Sequence, residues 1–394
     1  PQMFIPNCFV LLSNGGDARV GSTFAPWEFF GDWMVIDANG TRGEVALETA
    51  LRGTCDPEVL LDLFENFVAY MERPGGLSKI LARSHQFLGV NAAIDNLRRA
   101  RAVQDKRLGV FWHTQGSGKS LSMLWFTQKV LRQIVGKWTF VMVTDRAELD
   151  TQLHGEFADA GAIPPEAKVH ASSIANLREL LAVDHRYVFT LIQKFQPAKG
   201  ERAMPVLSDR SDIIVITDEA HRSQYDTLAL NMRTALPNAS MMGFTGTPLI
   251  AGAEQATREQ FGDYVSTYNF RDAIIDGATV PLYYENRIPE LQLVNEDFSD
   301  ELDALLEEAE LDEDAEGQLA RRFGTQYTLL TRPERLKTLA TDLVRHFVGR
   351  GFSGKAMYVG LDKAAAVRMY NLVQEAWSQH LADLTAQLNA LPEL

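Results

Sequence analysis

From about Leu108 onward, short apolar and β-branched runs alternate with helix-like stretches. The runs LGVFW, TFVMV, YVFTLI, DIIVIT and SMMGF have the length of strands, and each ends in a polar or Gly-rich loop. The intervening SLSMLWFTQKVL has the apolar spacing of a helix. This alternation predicts an α/β domain on a parallel sheet, and open α/β sheets place their ligands beyond the carboxyl ends of the strands. Further along, GKAMYVGL reads as a strand and DKAAAVRMYNLVQEAWSQHLADLTAQL as a long amphipathic helix, the start of a second α/β domain. Upstream, FVLLSNGGDARVGS reads as strand, Gly-Gly turn and strand, a hairpin outside the later alternation. The expected division is therefore 1–58, the end of a separate domain, then 59–262 and 263–394.

A chain of 394 residues, 46% of them hydrophobic, is long enough for two or three cores. Its longest apolar runs fall far short of the roughly 18 residues of a membrane span. Cys8 and Cys55 are too far apart to suggest a disulfide framework or a zinc site, so a reducing, cytoplasmic setting is expected. The opening PQMFIPNCFV has no basic segment before an apolar one and no initiator Met, so it is not a secretory signal and a fragment is expected. The formal charge of −14 argues against a broadly basic nucleic-acid surface. Yet twelve Asp or Glu and no Lys or Arg lie between Glu296 and Glu316, which leaves the remainder near neutral. A groove that follows phosphates needs only local positive charge. The acidic stretch, about 296–317, reads as a solvated helix or insertion without a catalytic role.

Three strand ends carry chemistry. Gly116-Ser117-Gly118-Lys119-Ser120 follows LGVFW and opens a helix, the context of a phosphate-binding loop. There the backbone N–H groups of Thr114 to Ser120 would wrap phosphates, Lys119 would reach the β- and γ-phosphates of ATP, and Ser120 would ligate Mg²⁺. His113 stands where such loops usually open with glycine. Next, DIIVIT runs into Asp218-Glu219-Ala220-His221. Asp218 suits the Mg²⁺ shell, Glu219 suits the base that activates water, and His221 could link this site to a neighbouring loop. Alone, this cluster would serve equally well as a helix cap. Third, MMGFTGTPL ends at Thr245-Gly246-Thr247, by itself an ordinary turn. In this order the three segments resemble motifs I, II and III of superfamily 2 helicases and translocases, where the third couples nucleotide state to nucleic-acid binding.

The flanking ARSHQFLGVNAAIDNL, WHTQGSGKSLSM, VTDRAELDTQL, LIQKF, TDEAHRSQ, FGDYVSTYNFRDAIIDGATVPLYYENR and GKAMYVGLDKAAAVRMYN narrow this. They resemble the restriction (R) subunit of type I restriction-modification enzymes, over nearly the whole chain. In that family the loop commonly begins Trp-His-Thr, so the resemblance makes His113 a family trait. It further implies a RecA-like first motor domain, the start of a second, and the end of a nuclease-like domain before them. Gln86 matches the glutamine that reads adenine. Thr144, Asp145 and Arg146, with Gln193 and Lys194, match loops that touch the DNA backbone, and the two cations suit phosphates chemically. The implied activity is ATP-driven translocation of duplex DNA in complex with methylase and specificity subunits. The family's nuclease residues are expected upstream of Pro1 and its arginine finger beyond Leu394, so the fragment is expected to turn ATP over slowly. Two other readings stay open: another superfamily 2 helicase or repair translocase, and a nucleotide-binding scaffold that does not hydrolyse.

Overall fold

The computed structural model describes residues 7–23, 25–73, 75–164, 166–218, 225–247, 253–285, 330–351 and 354–390. The chain divides into two compact units, Pro1–Leu282 and Tyr283–Leu394.

The first unit is built on a six-stranded, wholly parallel sheet. Two hairpins precede it: β1 (Val10–Ser13) with β2 (Ala18–Gly21), and β3 (Val68–Arg73) with β4 (Gly76–Leu81). The sheet strands are β5 (Arg107–His113), β6 (Thr139–Thr144), β7 (Tyr187–Leu191), β8 (Ile213–Asp218), β9 (Ser240–Thr245) and β10 (Tyr264–Tyr268), in spatial order β10-β5-β9-β8-β6-β7. The helices are α1 (Ala46–Thr54), α2 (Pro57–Asn66), α3 (Ser84–Val103), α4 (Lys119–Gln133), α5 (Ala147–Asp159), α6 (Ile174–Leu181), α7 (Tyr225–Ala235), α8 (Ala253–Phe261) and α9 (Phe270–Ile275). The five expected sheet strands and the first expected hairpin are all present, and the parallel α/β architecture stands.

Helices cover both faces of a parallel sheet, so its strands read as continuous apolar runs. Strands β6 and β9 are buried at every position. Alternate residues of β6 feed two separate cores. Phe140 and Met142 pack with Phe87, Trp125, Phe126 and Phe157 of α3, α4 and α5. Val141 and Val143 pack with Leu177 and Leu181 of α6 and Met232 of α7. The first core also takes in Val20, Trp33, Ala50, Phe67 and Met71, so the N-terminal elements share it with the sheet.

Strand β10 was not foreseen, and it lies beyond the boundary expected near 262. Its Tyr-Val-Ser-Thr-Tyr pattern lacks a solid apolar run because only its last residue, Tyr268, is fully buried. It is seated on β5 through a close approach at Gly109, whose φ is +102° and where a Cβ would lie 2.8 Å from the Asp263 carbonyl oxygen. A side chain there would meet both strain and backbone. The β3–β4 hairpin was missed for the same reason, since Glu72, Arg73 and Lys79 interrupt its apolar pattern.

In the second unit, α10 (Pro333–Gly349) packs on α11 (Lys363–Asn389) through Leu336, Ala340 and Met369. The Asp362 carboxylate caps α11 by accepting from the Ala365 N–H at 2.6 Å. The strand expected at GKAMYVGL is absent among the described residues 354–360. A strand needs a neighbour to bond its backbone, and Met357 and Val359 instead stand 85% and 77% exposed. Among the described residues, no helix is long and apolar enough to cross a membrane.

One buried polar network ties α4 to the elements before it. The Lys129 ammonium donates to Asp62 Oδ2 of α2 and to Asn91 Oδ1 of α3, both at 2.6 Å, and lies 4.9 Å from the Phe67 ring centre. Removing one partner strands the other in a largely dry site. We expect Lys129→Ala to cost about 3 kcal/mol of stability, read as a lower urea midpoint. Lys129→Met with Asp62→Leu should recover most of it; an unchanged midpoint for the single variant contradicts this account.

Candidate active site

The described strand-end residues singled out from sequence lie on one edge of the sheet because every sheet strand ends there. Strand β5 delivers His113 and then the loop 114–118. The Thr114 N–H donates to the Tyr268 carbonyl at 2.9 Å, and the Ser117 N–H donates back to Thr114 at 3.2 Å. Gly116 and Gly118 have φ of +83° and +78°, the left-handed region where glycine is unstrained. Gln115 and Gly116 are exposed at the apex. Helix α4 starts at Lys119 with Gly118 as its N-cap and no side-chain cap. Its first-turn N–H groups therefore lack intrahelical partners, which favours an anion. The Lys119 ammonium folds back onto the His113 carbonyl at 3.3 Å.

The next strand end is β9. A Cβ on Gly246 would lie 3.3 Å from the Lys119 Nζ and 3.6 Å from the Gln115 nitrogen, so the turn after β9 lies against the loop. Thr245 is buried. Its hydroxyl donates to the Thr247 carbonyl at 3.1 Å and lies 3.3 Å from the Thr247 N–H, which closes the turn. Beside it, Asp218 ends β8 in register with Phe244. Lys119, Gly246 and Asp218 thus stand at the ends of three consecutive strands. Glu219 and His221 lie outside the described residues.

Further along the same edge, β6 leads into Thr144, Asp145 and Arg146, and β7 into Gln193 and Lys194. The Gln193 amide donates to the Asp145 carbonyl at 2.9 Å, which joins the two turns. Arg146 is exposed, 3.7 Å from the Asp145 carboxylate, while the Lys194 ammonium donates to the Ala171 carbonyl. The Thr144 hydroxyl is buried and donates to the Arg146 carbonyl at 3.4 Å, so it shapes the turn.

Gln86 reaches the phosphate loop from α3. Its carboxamide nitrogen donates to the Gly118 carbonyl at 3.0 Å and to the Ser117 carbonyl at 3.3 Å, while its oxygen accepts from the Arg83 N–H at 2.9 Å. A Cβ on Gly118 would lie 2.5 Å from that nitrogen. Residues 85–316 match the family model described as SWI2/SNF2 ATPase.

The chain belongs to this family.

Among curated relatives, it is 38% identical over 94% of its length to the type I restriction enzyme HindI endonuclease subunit of Haemophilus influenzae. It is 33% identical over 95% of its length to the provisionally named type I restriction enzyme MjaIXP endonuclease subunit of Methanocaldococcus jannaschii. The chain spans 37% of the length of each. Among solved structures, a fragment provisionally named as an HsdR subunit of a type I restriction enzyme from Vibrio vulnificus is similar at a TM-score of 0.43 and 15% identity. That likeness covers 96% of this chain and 58% of that one. The resemblance to type I restriction endonuclease subunits therefore stands on named relatives, and the fold on the sheet itself.

Within this SWI2/SNF2 ATPase, two histidines next to the loop received no structural role from sequence. His113 is wholly buried, with Nε2 2.7 Å from the Ser266 hydroxyl of β10. Its side chain thus joins two strands. Burial first, then His85 and Lys119 nearby, hold its imidazole well below the usual histidine range. His85 is stacked on the Tyr268 ring at 3.7 Å and 10°, with Nε2 3.1 Å from the Ser117 carbonyl. Burial pushes it down to about 4. The signal for both was in the sequence, as His85 directly precedes Gln86 and His113 directly precedes the loop, but their partners come from β10, far along the chain.

Both imidazoles are neutral in the folded chain, so the unfolded chain takes up protons first as pH falls below about 6.5. Their contribution is complete above that value and is lost as pH drops from it toward 4. Between pH 7.5 and 5.5 the loss should be on the order of 1 kcal/mol per histidine. Urea midpoints of the wild type should fall over this range more steeply than those of a His85→Gln, His113→Gln double variant. Parallel slopes would remove the histidines from the account.

Proposed function

We propose that the chain is the motor portion of a type I restriction enzyme endonuclease subunit, working in the cytoplasm, which couples ATP hydrolysis to translocation along duplex DNA. The observation that carries this reading is the convergence of Lys119, Gly246 and Asp218 on adjacent strand ends in a SWI2/SNF2 ATPase. The donor set fits a triphosphate. Helix N–H groups without intrahelical partners, an exposed Gly-rich apex and a lysine whose ammonium donates, among the described residues, to a carbonyl suit phosphate oxygens. Ser120 and Asp218 would hold Mg²⁺, which supplies neutralisation of developing phosphate charge.

On this reading Lys119 leaves the His113 carbonyl for the β- and γ-phosphates, and the first turn of α4 binds the remaining oxygens. Glu219, next to Asp218, takes the proton of the attacking water. The turn at Gly246 lies against Lys119, so the loss of the terminal phosphate alters its surroundings directly. The linked turns bearing Arg146 and Gln193 with Lys194 meet the DNA backbone along the same edge. Methylase and specificity subunits would anchor the motor at its site, and a nuclease domain in the longer protein would cut.

The test is ATP hydrolysis by the full-length subunit, assembled with its methylase and specificity partners, with and without unmethylated duplex carrying the recognition site. We expect duplex-dependent turnover that falls at least about a hundredfold in Lys119→Ala and in Glu219→Gln. Turnover indifferent to DNA, or to both substitutions, overturns the motor.

A second measurement addresses the far turns. Arg146→Ala should weaken duplex binding for all sequences alike and lower the slope of log affinity against log salt by about one. An unchanged slope would move the DNA path elsewhere.

A further inference from the structure

The loop 114–118 has a mechanical problem. Its glycines permit the bend that gathers N–H groups around an anion, but the same freedom lets the loop collapse. Peptide planarity offers a remedy, because the C=O of one residue and the N–H of the next point in opposite directions from one plane. A carbonyl tied inward therefore turns the following N–H outward. In this chain the Ser117 carbonyl is tied inward by His85 Nε2 at 3.1 Å and, more weakly, by Gln86 at 3.3 Å. The Gly118 carbonyl is tied by Gln86 at 3.0 Å. These bonds set the directions of the Gly118 and Lys119 N–H groups.

His85 is itself held in place. Its ring lies flat on Tyr268, whose hydroxyl donates to the Asp276 carboxylate at 2.8 Å. The Tyr268 carbonyl meanwhile receives the Thr114 N–H at the other end of the loop. One residue of β10 thus braces the loop at its entry through its backbone and at its exit through the stacked histidine.

We propose that His85, seated on Tyr268, is a positioning residue that holds the phosphate loop in its nucleotide-binding form. This rests on the loop being the ATP site. A carbonyl cannot donate, so the Nε2 facing Ser117 carries the proton. His85 acts on the loop alone, and its loss should weaken phosphate binding in ground and transition states alike, raising KM while sparing kcat.

The experiment measures ATP kinetics of the full-length subunit in its DNA-activated complex, with thermal melting of each variant. His85→Phe keeps the ring on Tyr268 and removes the donor; His85→Gln keeps a donor near the Nε2 position and fills similar space. We expect His85→Phe to raise KM for ATP roughly tenfold, with kcat within about twofold and melting close to wild type, and His85→Gln to return KM to within about threefold of wild type. A wild-type KM in His85→Phe overturns the proposal. So does an equal rise in both variants, which would make His85 simple packing, as would a rise seen only with a matching drop in melting temperature. Lys119→Ala separates the two levels of argument. If it too leaves ATP turnover untouched, the ATP site itself is misplaced; if it abolishes turnover while His85→Phe is silent, only the positioning role falls.

Discussion

All six strands of the main sheet run the same way, and the arrangement of the molecule follows from that constraint. Parallel neighbours require crossovers, the crossovers carry helices, and helices on both faces force the strands to be apolar throughout. Polar chemistry is then left to the strand ends. Asp218, Thr245 and Thr144 are each the last residue of their strand. Segments scattered over more than a hundred residues of sequence therefore meet on one edge without any long-range pairing code among them.

His113, the last residue of β5, also stands at a strand end, yet it is wholly buried. A polar side chain inside a covered sheet needs a partner, and Ser266 of the edge strand supplies one at 2.7 Å. That contact depends on close approaches that only glycine allows. A Cβ on Gly89 would come within 2.6 Å of the Ser266 hydroxyl, and one on Gly109 within 2.8 Å of the Asp263 carbonyl. Strand β10 is thereby drawn against β5 and α3, so Tyr268 reaches both ends of the phosphate loop. The histidine at the start of the loop is a joint between strands and faces away from the role that glycine plays in related loops.

What could be read from sequence divides along the same physical line. Five strands, the four inner ones and the edge strand β7, announce themselves in sequence because cover on both faces leaves an unbroken apolar run. Their terminal loops stand out in sequence because small residues, a lysine and adjacent carboxylates follow the apolar runs. Strand β10 and the β3–β4 hairpin carry mixed polarity, since most of their positions are only partly buried or exposed, and the pattern there resembles loop. GKAMYVGL shows the opposite error. Its apolar character promised a strand, but among the described residues it has no edge to pair with. Gln86 was singled out through family resemblance, and its bonds to Ser117 and Gly118 were not legible, because they depend on where α3 crosses the loop.

The spatial order of the strands also constrains how a motor of this design communicates. Between β5, with the phosphate loop, and β6, with Arg146, stand β9 and β8. At about 4.8 Å per strand the two strand ends are separated by roughly 15 Å. Both intervening strands are buried almost throughout and bonded in continuous register, so sliding one against another would break many bonds at once. The compliant parts are the turns that leave the edge. The turn after β9 is closed by Thr245 and rests against Lys119 at Gly246, and the turns after β6 and β7 are locked together by Gln193. If the loop holds a nucleotide as proposed, a change in phosphate occupancy would be best transmitted across the edge, from turn to turn, with the sheet as the fixed reference. On the proposed reading the same geometry reconciles the acidic chain with a polyanionic track, since only this edge, where Arg146 is exposed, would have to face it.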